Sequence, residues 1–522
     1  MALLLPLLFA LPAVAAAAAT GLPSLSIVSF GGKADGETNN QAAIMKAMAA
    51  CEKAGGCTLT FPPVTSGSLP QLNHSAAAPP YHPYGPPVTT VYRTSAINLT
   101  SHLKLVVPEG VQLRGTEDFS ENCGGSNSTT CDDMDSPSWP VLPWPAYPSH
   151  PNRGGDATPS KQAFIRGYNL TDVTLTGGGE IHAGGGWWWC VRMAAAVPPQ
   201  PGGGHAPKWC PAMVKEGKIP GFSLVPPRML HMIGCEGVTL DNLTFSNSPY
   251  WTLHFQYSNN VHIRHVTVFN PNNGSIEAPN GDGIDLDSTS NVHMHDSLMD
   301  VADDSLCCKS GADWLGRTVG IPTRNVLFEN IEVRNGHGLT LGSEASGGML
   351  NITYRGIFLN GAGGPQNCPQ LKRRCGAVGG IHFKTGRGRG GLWRDISWIN
   401  ITGNNAIAFV GFSENHGTSL GPEPATGPAN ATGTPVIENL LIKDVFLTDV
   451  AGPSEIFTLA ESPIQNFTLS NVSWSARRGA KGGYVCQGWN GTKTVNELFA
   501  SGTAVDVVPA LPARECGFLP AQ

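Results

Sequence analysis

A nine-residue pattern, here called the nonamer, recurs along the chain and constrains its fold more than any other feature. In Asn325–Val333 (NVLFENIEV) the second, fourth, seventh and ninth residues are apolar, and successive copies start 23 to 49 residues apart. Short strand-like repeats at such intervals are typical of stacked coils that bury their apolar faces against one another. The pattern predicts an all-β fold, and a right-handed parallel β-helix fits it best. The other copies start at Gly237, Asn260, Asn291, Asn351, Gly390, Asn439 and Asn466.

A second pattern of seven residues, the heptamer, brings chemically active side chains into columns. Its copies are Asp282–Ser288, Asp304–Ser310, His337–Ser343 and Gly379–Thr385. Because strand side chains alternate between faces, the third and fifth places should point inward and the fourth and sixth outward. Coils lie ~4.8 Å apart, so the first places should line one face with acids and a histidine. The outward places hold Asp285, Cys307, Thr340 and His382, and beside them Asp287, Lys309, Gly342 and Lys384.

Composition narrows the function classes. The 522 residues carry a net charge of −6, which gives no indication of nucleic-acid binding. Only 14% of the residues are charged, while 64 glycines and 42 prolines are typical of a turn-rich all-β chain. We expect residues 20–522 to form one β-helix domain and the protein to be a monomer.

The N-terminus has the features of a signal peptide. Residues 1–19 (MALLLPLLFALPAVAAAAA) are apolar and end in small residues. The alternative, a retained membrane anchor, is disfavoured because the alanine tail is weakly apolar. We therefore predict a secreted protein, extracellular or in the cell wall, that is not associated with a membrane.

Thirteen cysteines fit an oxidising compartment. Cys235 and Cys308 are expected to fill the core, and a metal site at Cys307–Cys308 is disfavoured because no matching cysteine pair accompanies it. Close spacing suggests five disulfides, which sequence alone cannot assign. They are Cys51–Cys57, Cys123–Cys131, Cys190–Cys210, Cys368–Cys375 and Cys486–Cys516.

Two further segments have local predictions. Gln41 to Lys53 has helical apolar spacing, and a helix there would cap the open end of the β-helix, which otherwise exposes strand edges. Gly184 to Cys190 contains three consecutive tryptophans. Packing is the favoured interpretation of this run, and a sugar-stacking platform is the alternative.

Several motifs occur in an order and spacing that identify a family. They are Phe30-Gly-Gly-Lys-Ala-Asp-Gly36, Asn247-Ser-Pro-Tyr-Trp-Thr-Leu-His254, Asn280-Gly-Asp-Gly-Ile-Asp285, Asp303-Asp304, Gly336-His-Gly338 and Gly380-Ile-His-Phe-Lys384. Over nearly all of the mature chain, the sequence resembles the polygalacturonases of glycoside hydrolase family 28. The resemblance implies a right-handed parallel β-helix that hydrolyses galacturonan with inversion.

The resemblance also implies roles for individual residues. Asp303 corresponds to the general acid, while Asp282 and Asp304 correspond to the carboxylates that activate water. His337 would sustain the protonation of Asp303, and Lys384 would pair with a substrate carboxylate. Asn280, Lys309, His382 and Arg387 complete the predicted substrate-binding set. We expect an acidic polysaccharide as the partner, and no cofactor or metal.

Two positions depart from the family pattern. Gly281 stands where the family has threonine, and His382 stands where it has arginine. A histidine lacks the bidentate fork with which arginine binds a carboxylate. Arg387 or Arg389 is a candidate substitute for that arginine. Otherwise, the substrate differs from plain galacturonan or is bound weakly.

Other functions remain open at this stage. A hydrolase of another pectic glycan, such as rhamnogalacturonan, would use the same acids. A lyase would need a basic proton abstractor in place of paired acids, and a non-catalytic glycan-binding β-helix would not need Asp303. The single-coil stacking of Asp282 and Asp304 is shorter than the ~6.5–9.5 Å that separates the carboxyl groups of inverting enzymes. The inverting mechanism is therefore predicted from the resemblance alone.

Overall fold

The structure is a computed structural model that describes residues 21–64, 87–118, 141–142, 160–196, 226–271, 278–361, 378–414, 433–489, 494–495, 500–510, 516 and 519–520. The predicted signal peptide and the predicted pairs Cys123–Cys131 and Cys368–Cys375 lie outside these residues. Within the described ranges, no helix is both long and apolar enough to cross a membrane.

Parallel strands in two long sheets confirm the predicted right-handed parallel β-helix. The large sheet has 17 described strands. They are β1 (Ser24–Ser26), β2 (Cys57–Thr60), β3 (Thr90–Thr94), β5 (Leu103–Val106), β6 (Val111–Gly115), β10 (Thr171–Thr176), β11 (Glu180–His182), β13 (Glu236–Ser246), β15 (Asn259–Phe269), β17 (Ser290–Asp300), β19 (Thr323–Val333), β21 (Met349–Asn360), β23 (Leu392–Asn404), β25 (Val436–Val450), β27 (Ile464–Ala476), β30 (Ala500–Val508) and β31 (Leu519–Pro520).

The narrow sheet has 12 described strands, most of them only four residues long. They are β4 (Ile97–Asn98), β9 (Ile165–Tyr168), β12 (Leu230–Ile233), β14 (Leu253–Gln256), β16 (Ile284–Asp287), β18 (Leu306–Lys309), β20 (Leu339–Gly342), β22 (Ile381–Lys384), β24 (Val410–Ser413), β26 (Ser454–Leu459), β28 (Tyr484–Trp489) and β29 (Thr494–Val495). A separate antiparallel pair joins β7 (Val141–Leu142) to β8 (Ser160–Lys161).

The nonamers stack in register along the large sheet. Their second places form one continuous column of buried apolar side chains, which is the ladder that the repeat predicts. The column runs through Val238, Val261, Val292, Val326, Ile352, Ile396, Leu440 and Phe467.

One copy of the nonamer was predicted in the wrong register. The copy predicted at Gly390 begins at Asp395, because Ile396 rather than Gly391 pairs with Ile352. The pattern overlaps with itself after a shift of five residues. The apolar seventh and ninth places of one alignment are then the apolar second and fourth places of the other. Trp393 and Trp398 are both buried and apolar, so both alignments satisfied the pattern.

Left-handed backbone explains the spacing of the nonamer. The first and sixth places have φ between +49° and +71°, a region that favours glycine, asparagine and aspartate. The left-handed residue at the sixth place shifts the alternation by one, so the buried places become seven and nine. These residues are Gly237, Asn260, Asn291, Asn325, Asn351, Asp395, Asn439 and Asn466 at the first place, and Asn242, His265, Asp296, Asn330, Gly356, Asn400, Asp444 and Asn471 at the sixth.

Helices close and flank the β-helix. The predicted capping helix is present as α1 (Gln41–Lys53), which buries Ile44 and Met48 and is joined to β2 by the disulfide Cys51–Cys57. A 3₁₀ helix (Ile27–Phe30) precedes it. Two helices were not predicted: α2 (Gly185–Ala196) and α3 (Asp313–Val319).

The tryptophan run lies within α2 and is buried, which rules out the sugar-stacking alternative. Trp187 is 3% exposed, and Trp188 and Trp189 are fully buried. The indole Nε1 of Trp189 donates to the carbonyl oxygen of Ser248 at 2.8 Å. These side chains therefore pack α2 onto the coils.

The described cysteines match the predictions made for them. The disulfide Cys486–Cys516 is present, and Cys235 and Cys308 are buried free thiols in the core. Cys190 is disulfide-bonded, but its predicted partner Cys210 lies outside the described residues.

The left-handed backbone at the sixth place predicts an effect on stability that is opposite to the effect expected from strand propensity. Asn330 lies within β19 with φ +53° and donates through Nδ2 to Asp296. Valine favours strands but is strained at positive φ by ~1–2 kcal/mol. We expect Asn330→Val to lower the melting temperature clearly, and the matched control Asn330→Gly, which also loses the side-chain donor, to lower it less. An Asn330→Val protein as stable as Asn330→Gly would contradict this explanation of the repeat.

Candidate active site

Four neighbouring strands of the narrow sheet carry or border the residues of the predicted site. β16, β18, β20 and β22 pair in parallel, so the fourth heptamer places stack directly as predicted. The outward places are not exposed, however, because Asp285, Cys307 and Thr340 are fully buried. The acids at these strand ends therefore lie within a packed surface and are largely shielded from solvent.

Glycines allow the turns at the start of these strands to approach one another. Gly336 has φ +92°, and a Cβ atom there would lie 2.2 Å from the carbonyl oxygen of Asp303. The amide of His337 donates to that same carbonyl at 2.8 Å. Gly338 is equally confined, since its Cβ atom would lie 2.2 Å from the carbonyl oxygen of Gly379. The Gly-His-Gly motif thus fixes the position of the histidine.

Three carboxyl groups converge from two coils. Asp282, Asp303 and Asp304 each offer an oxygen, and these oxygens lie within 4.8 Å of one another. The Asp303 side chain is 21% exposed, whereas Asp282 and Asp304 are each 1% exposed. Asp303 is therefore the acid of the three that is most accessible to a ligand.

Burial favours the neutral form of Asp282. Burial, reinforced by the charges of Asp285, Asp303 and Asp304, raises its pKa well above the usual value. Its Oδ1 atom is buried and has no hydrogen-bond partner in the part of the chain that the structure describes. A buried oxygen of this kind is suited to an ordered water.

The pKa of Asp304 is shifted in the opposite direction, although Asp304 is equally buried. Burial raises its pKa, but the charge of Lys384 and the contacts with His337 and Lys309 outweigh burial and hold the pKa well below the usual value. Lys384 Nζ lies 2.7 Å from Asp304 Oδ2. His337 Nδ1 and the hydroxyl of Thr340 lie 3.1 and 3.3 Å from Asp304 Oδ1. Both oxygens of this carboxylate are engaged.

His337 joins the two consecutive aspartates. Its Nδ1 atom lies 2.9 Å from Asp303 Oδ1 and 3.1 Å from Asp304 Oδ1. Burial lowers its pKa, but the two carboxylates outweigh burial and raise the pKa to about 9. A cationic imidazolium stabilises the ionised form of an adjacent carboxyl group. This charge contributes to the low pKa of Asp304, and the role of His337 in sustaining the protonation of Asp303 stays a prediction.

Lys309 belongs to a buried ion network. Its Nζ atom lies 3.2 Å from Glu344, 3.5 Å from Asp285 and 3.8 Å from Asp304. The ammonium group also lies 4.7 Å from the centre of the Trp251 ring. The lysine is 3% exposed, so the structure favours a structural role over the predicted substrate contact.

Three residues of this network, Asp285, Glu344 and Trp251, were not among the predicted site residues. Burial raises the pKa of Asp285 to about 7 despite the opposing charge of Lys309. Glu344 follows directly after a heptamer, and Trp251 lies in the Asn247 to His254 motif. Each of these residues lies in or next to a motif that was recognised in the sequence, and this position is the signal by which it could have been found.

The remaining predicted residues differ in how closely they join the site. Asn280 Nδ2 donates to Asp303 Oδ2 at 3.4 Å. The His382 ring lies edge-on to His337, with ring centres 6.1 Å apart. Arg387 is paired with Glu461, and Arg389 with Asp313 at 2.9 Å. Each candidate substitute for the missing arginine thus already has an acidic partner.

Two sets of side chains in the site have a spacing that could hold a cation. One is the aspartate trio, and the other is Asp304, His337 and His382, whose donor atoms also lie within 4.8 Å of one another. In both sets, the ammonium group of Lys384 already contacts Asp304. A metal ion would have to compete with that lysine.

Comparisons with known proteins point to one family. A sequence model described as glycosyl hydrolases family 28 matches residues 97–405. A probable polygalacturonase of Vitis vinifera is 26% identical over 455 residues, covering 86% of this chain and 74% of the relative. An endo-polygalacturonase of Pectobacterium carotovorum subsp. carotovorum is 26% identical over 171 residues, covering 33% of this chain and 40% of the relative.

Solved structures share the fold. An exopolygalacturonase from Thermotoga maritima superposes with a TM-score of 0.63 at 19% identity, covering 90% of this chain and 92% of that chain. A polygalacturonase from Erwinia carotovora ssp. carotovora superposes with a TM-score of 0.57 at 19% identity, covering 90% and 97%. At this identity the likeness supports the β-helix and no finer property.

The raised pKa of His337 predicts how stability depends on pH. A histidine whose folded pKa lies above its unfolded value stabilises the fold fully below pH 6.5 and loses that contribution as pH rises to about 9. We expect the melting temperature of the native protein to fall across this window. In His337→Asn the fall should be smaller, as measured by thermal melts between pH 6 and 10. Parallel curves for the two proteins would show that His337 is not cationic in the fold.

Proposed function

The chain belongs to glycosyl hydrolases family 28, and from this premise we propose that it hydrolyses α-1,4-galacturonosyl linkages of pectin. The observation that carries the proposal is the convergence of Asp282, Asp303 and Asp304 with His337 and Lys384. Relatives named polygalacturonase support the substrate class.

We propose that Asp303 is the general acid. It is the most exposed of the three acids, and Asn280 and His337 orient its two oxygens. It donates a proton to the glycosidic oxygen as the bond to the anomeric carbon breaks. Burial raises the pKa of neighbouring Asp282 well above its usual value, which favours a proton within this cluster of coupled carboxyl groups.

The other two acids are proposed to hold and deprotonate the attacking water. The unpartnered Oδ1 of Asp282 offers it an acceptor, and ionised Asp304 supplies the negative charge. The water oxygen bonds to the anomeric carbon as one proton of the water passes to ionised Asp304. Asp303 gives a proton to the leaving oxygen while Asp304 gains one from the water, and proton exchange with solvent restores both groups for the next turnover.

Inversion is proposed in preference to retention. The short spacing of the acid oxygens alone resembles the ~5–5.5 Å between the carboxyl groups of retaining enzymes. A nucleophilic carboxylate, however, needs a free oxygen at the surface. Asp304 is buried with both oxygens bound, and Asp282 is buried with a raised pKa that disfavours its nucleophilic ionised form, so a water is the better nucleophile.

Lys384 is proposed to act on both the substrate and the catalytic acids. Its contact with Asp304 keeps that carboxylate ionised, and its side chain is still 11% exposed. An acidic sugar at this position would meet the positive charges of Lys384 and His337. The ester-free galacturonosyl unit therefore fits the site electrostatically better than a neutral sugar.

We further propose that the protein is secreted and acts as a monomer. The disulfides Cys51–Cys57 and Cys486–Cys516 support an oxidising compartment. Polymeric pectin is found outside the cytoplasm, which agrees with that location. The predicted signal peptide would direct the chain there.

Removal of the acid tests the assignment. We expect Asp303→Asn to lower the turnover of polygalacturonate by ~10²–10⁴-fold, because a positioned general acid typically contributes that much. Binding of oligogalacturonates and the melting temperature should change little, since the amide keeps the shape of the side chain. The matched control is Asp449→Asn, an exposed aspartate paired with Arg477. Turnover of Asp303→Asn equal to that of the control would exclude Asp303 as the acid.

The anomeric form of the first product tests the mechanism. An inverting enzyme converts the α-linkage into a β-anomeric product before mutarotation. We expect the β-anomer to appear first in proton NMR spectra recorded during rapid hydrolysis of oligogalacturonates. Initial release of the α-anomer would establish retention and would require one of the buried acids to act as a nucleophile.

A further inference from the structure

Three histidines meet on the outer face of the large sheet, away from the strands that carry the catalytic acids. His262 on β15 and His293 on β17 are direct register partners, and His295 lies two residues further along β17. One ring nitrogen from each lies within 4.8 Å of the others. The side chains of His293 and His295 are 42% and 20% exposed, so an ion can reach them from solvent.

The spacing of two of these nitrogens suits a shared metal ion. His262 Nε2 and His295 Nε2 are 3.0 Å apart. A tetrahedral Zn²⁺ ion with bonds of ~2.0–2.1 Å places its neighbouring ligand nitrogens ~3.3 Å apart. The pair therefore needs to separate by only a few tenths of an ångström to hold the ion.

Neighbouring carboxylates orient the rings. His295 Nδ1 lies 2.7 Å from Asp296 Oδ2. Because a carboxylate only accepts hydrogen bonds, the Nδ1–H group of neutral His295 donates to Asp296, and the lone pair lies on Nε2, which faces His262. Carboxylates hold metal-binding histidines in this way. Glu329 Oε2 lies 3.3 Å from His293 Nε2, where it can orient that ring or complete the coordination.

Carboxylates accompany the arginine side chains around the cluster. Arg264 donates to Asp241 at 2.9 Å, and Arg355 donates to Glu329 at 2.6 Å. Each guanidinium group is thus matched by a carboxylate. Asp296 adds a further negative charge beside His295.

We propose that His262, His293 and His295 form a binding site for a borderline divalent transition-metal ion such as Zn²⁺, with water or Glu329 as the fourth ligand. Imidazole nitrogens favour Zn²⁺, Cu²⁺ and Ni²⁺, whereas Mg²⁺ and Ca²⁺ prefer oxygen ligands. The bound ion cross-links two successive coils and stabilises the folded state. No metal was expected from the sequence, and this site departs from that prediction.

The test measures metal binding directly on the full chain. Isothermal titration with Zn²⁺ should give one site per chain, and Ca²⁺ should give none there. His293→Gln and His295→Gln should each weaken Zn²⁺ binding at least tenfold and abolish the Zn²⁺-dependent rise in melting temperature. The matched control is His102→Gln, an exposed histidine that is also paired with an aspartate, and it should bind like the native protein. Co²⁺ should show the visible absorption of tetrahedral nitrogen coordination in the native protein and the control.

Two results would overturn the proposal. Equal Zn²⁺ affinity in the native protein and in His293→Gln would show that the three rings form only a hydrogen-bonded ladder. Loss of Zn²⁺ binding in His382→Gln but not in His293→Gln would place the ion at the catalytic acids instead. Melting curves without metal verify that each glutamine variant is folded, so a failed fold cannot be mistaken for lost binding.

Discussion

Parallel pairing between successive coils is the constraint on which the rest of this structure depends. A coil cannot bury its apolar residues alone, so each coil is stabilised by packing and strand pairing with the next coil. The same pairing sets side chains from distant parts of the sequence beside each other. Asp304 and Lys384 are 80 residues apart in sequence, yet their charged atoms lie 2.7 Å apart. The catalytic constellation is thus a direct consequence of register.

Within this group of side chains, the ionisation of the buried carboxyl groups depends on the charges of their neighbours. Burying three carboxyl groups together would be costly if all were ionised. Burial raises the pKa of Asp282 and favours its neutral form, while Lys384, His337 and Lys309 surround Asp304 and hold its pKa low. Asp303 remains at the accessible edge. The site therefore combines carboxyl groups of opposite pKa shift with a lysine and a histidine within a few ångströms, which is what the proposed acid–base hydrolysis requires.

Much of this could be predicted because it depends on local periodicity. The inward and outward places of the heptamers follow from strand alternation, and the structure pairs Asp285, Cys307 and Thr340 as expected. The misplaced copy at Gly390 shows the limit, since a pattern that matches itself after five residues cannot fix its own register. The residue types do not resolve it either, because Gly390 and Asp395 at the first and sixth places of the misplaced copy also have positive φ, as do Asp395 and Asn400 in the true copy.

Other features depend on side-chain direction, which periodicity does not encode. The tryptophans of α2 turn inward, Lys309 turns toward Glu344, and Arg387 turns toward Glu461. The histidine cluster on the large sheet was missed for the same reason. Its members lie in two nonamers at outward places, and only the ring orientations bring their nitrogens together.

The central claim is that the converging acids add water across a galacturonosyl linkage. The most direct test is mass spectrometry of the products formed from defined oligogalacturonates, with ultraviolet absorbance followed in parallel. Hydrolysis predicts fragments whose summed mass exceeds that of the substrate by one water per cleavage, with no ultraviolet-absorbing product. Unsaturated fragments without added water would establish a lyase, and intact oligosaccharide that remains bound would establish a glycan-binding protein; either result would contradict the account.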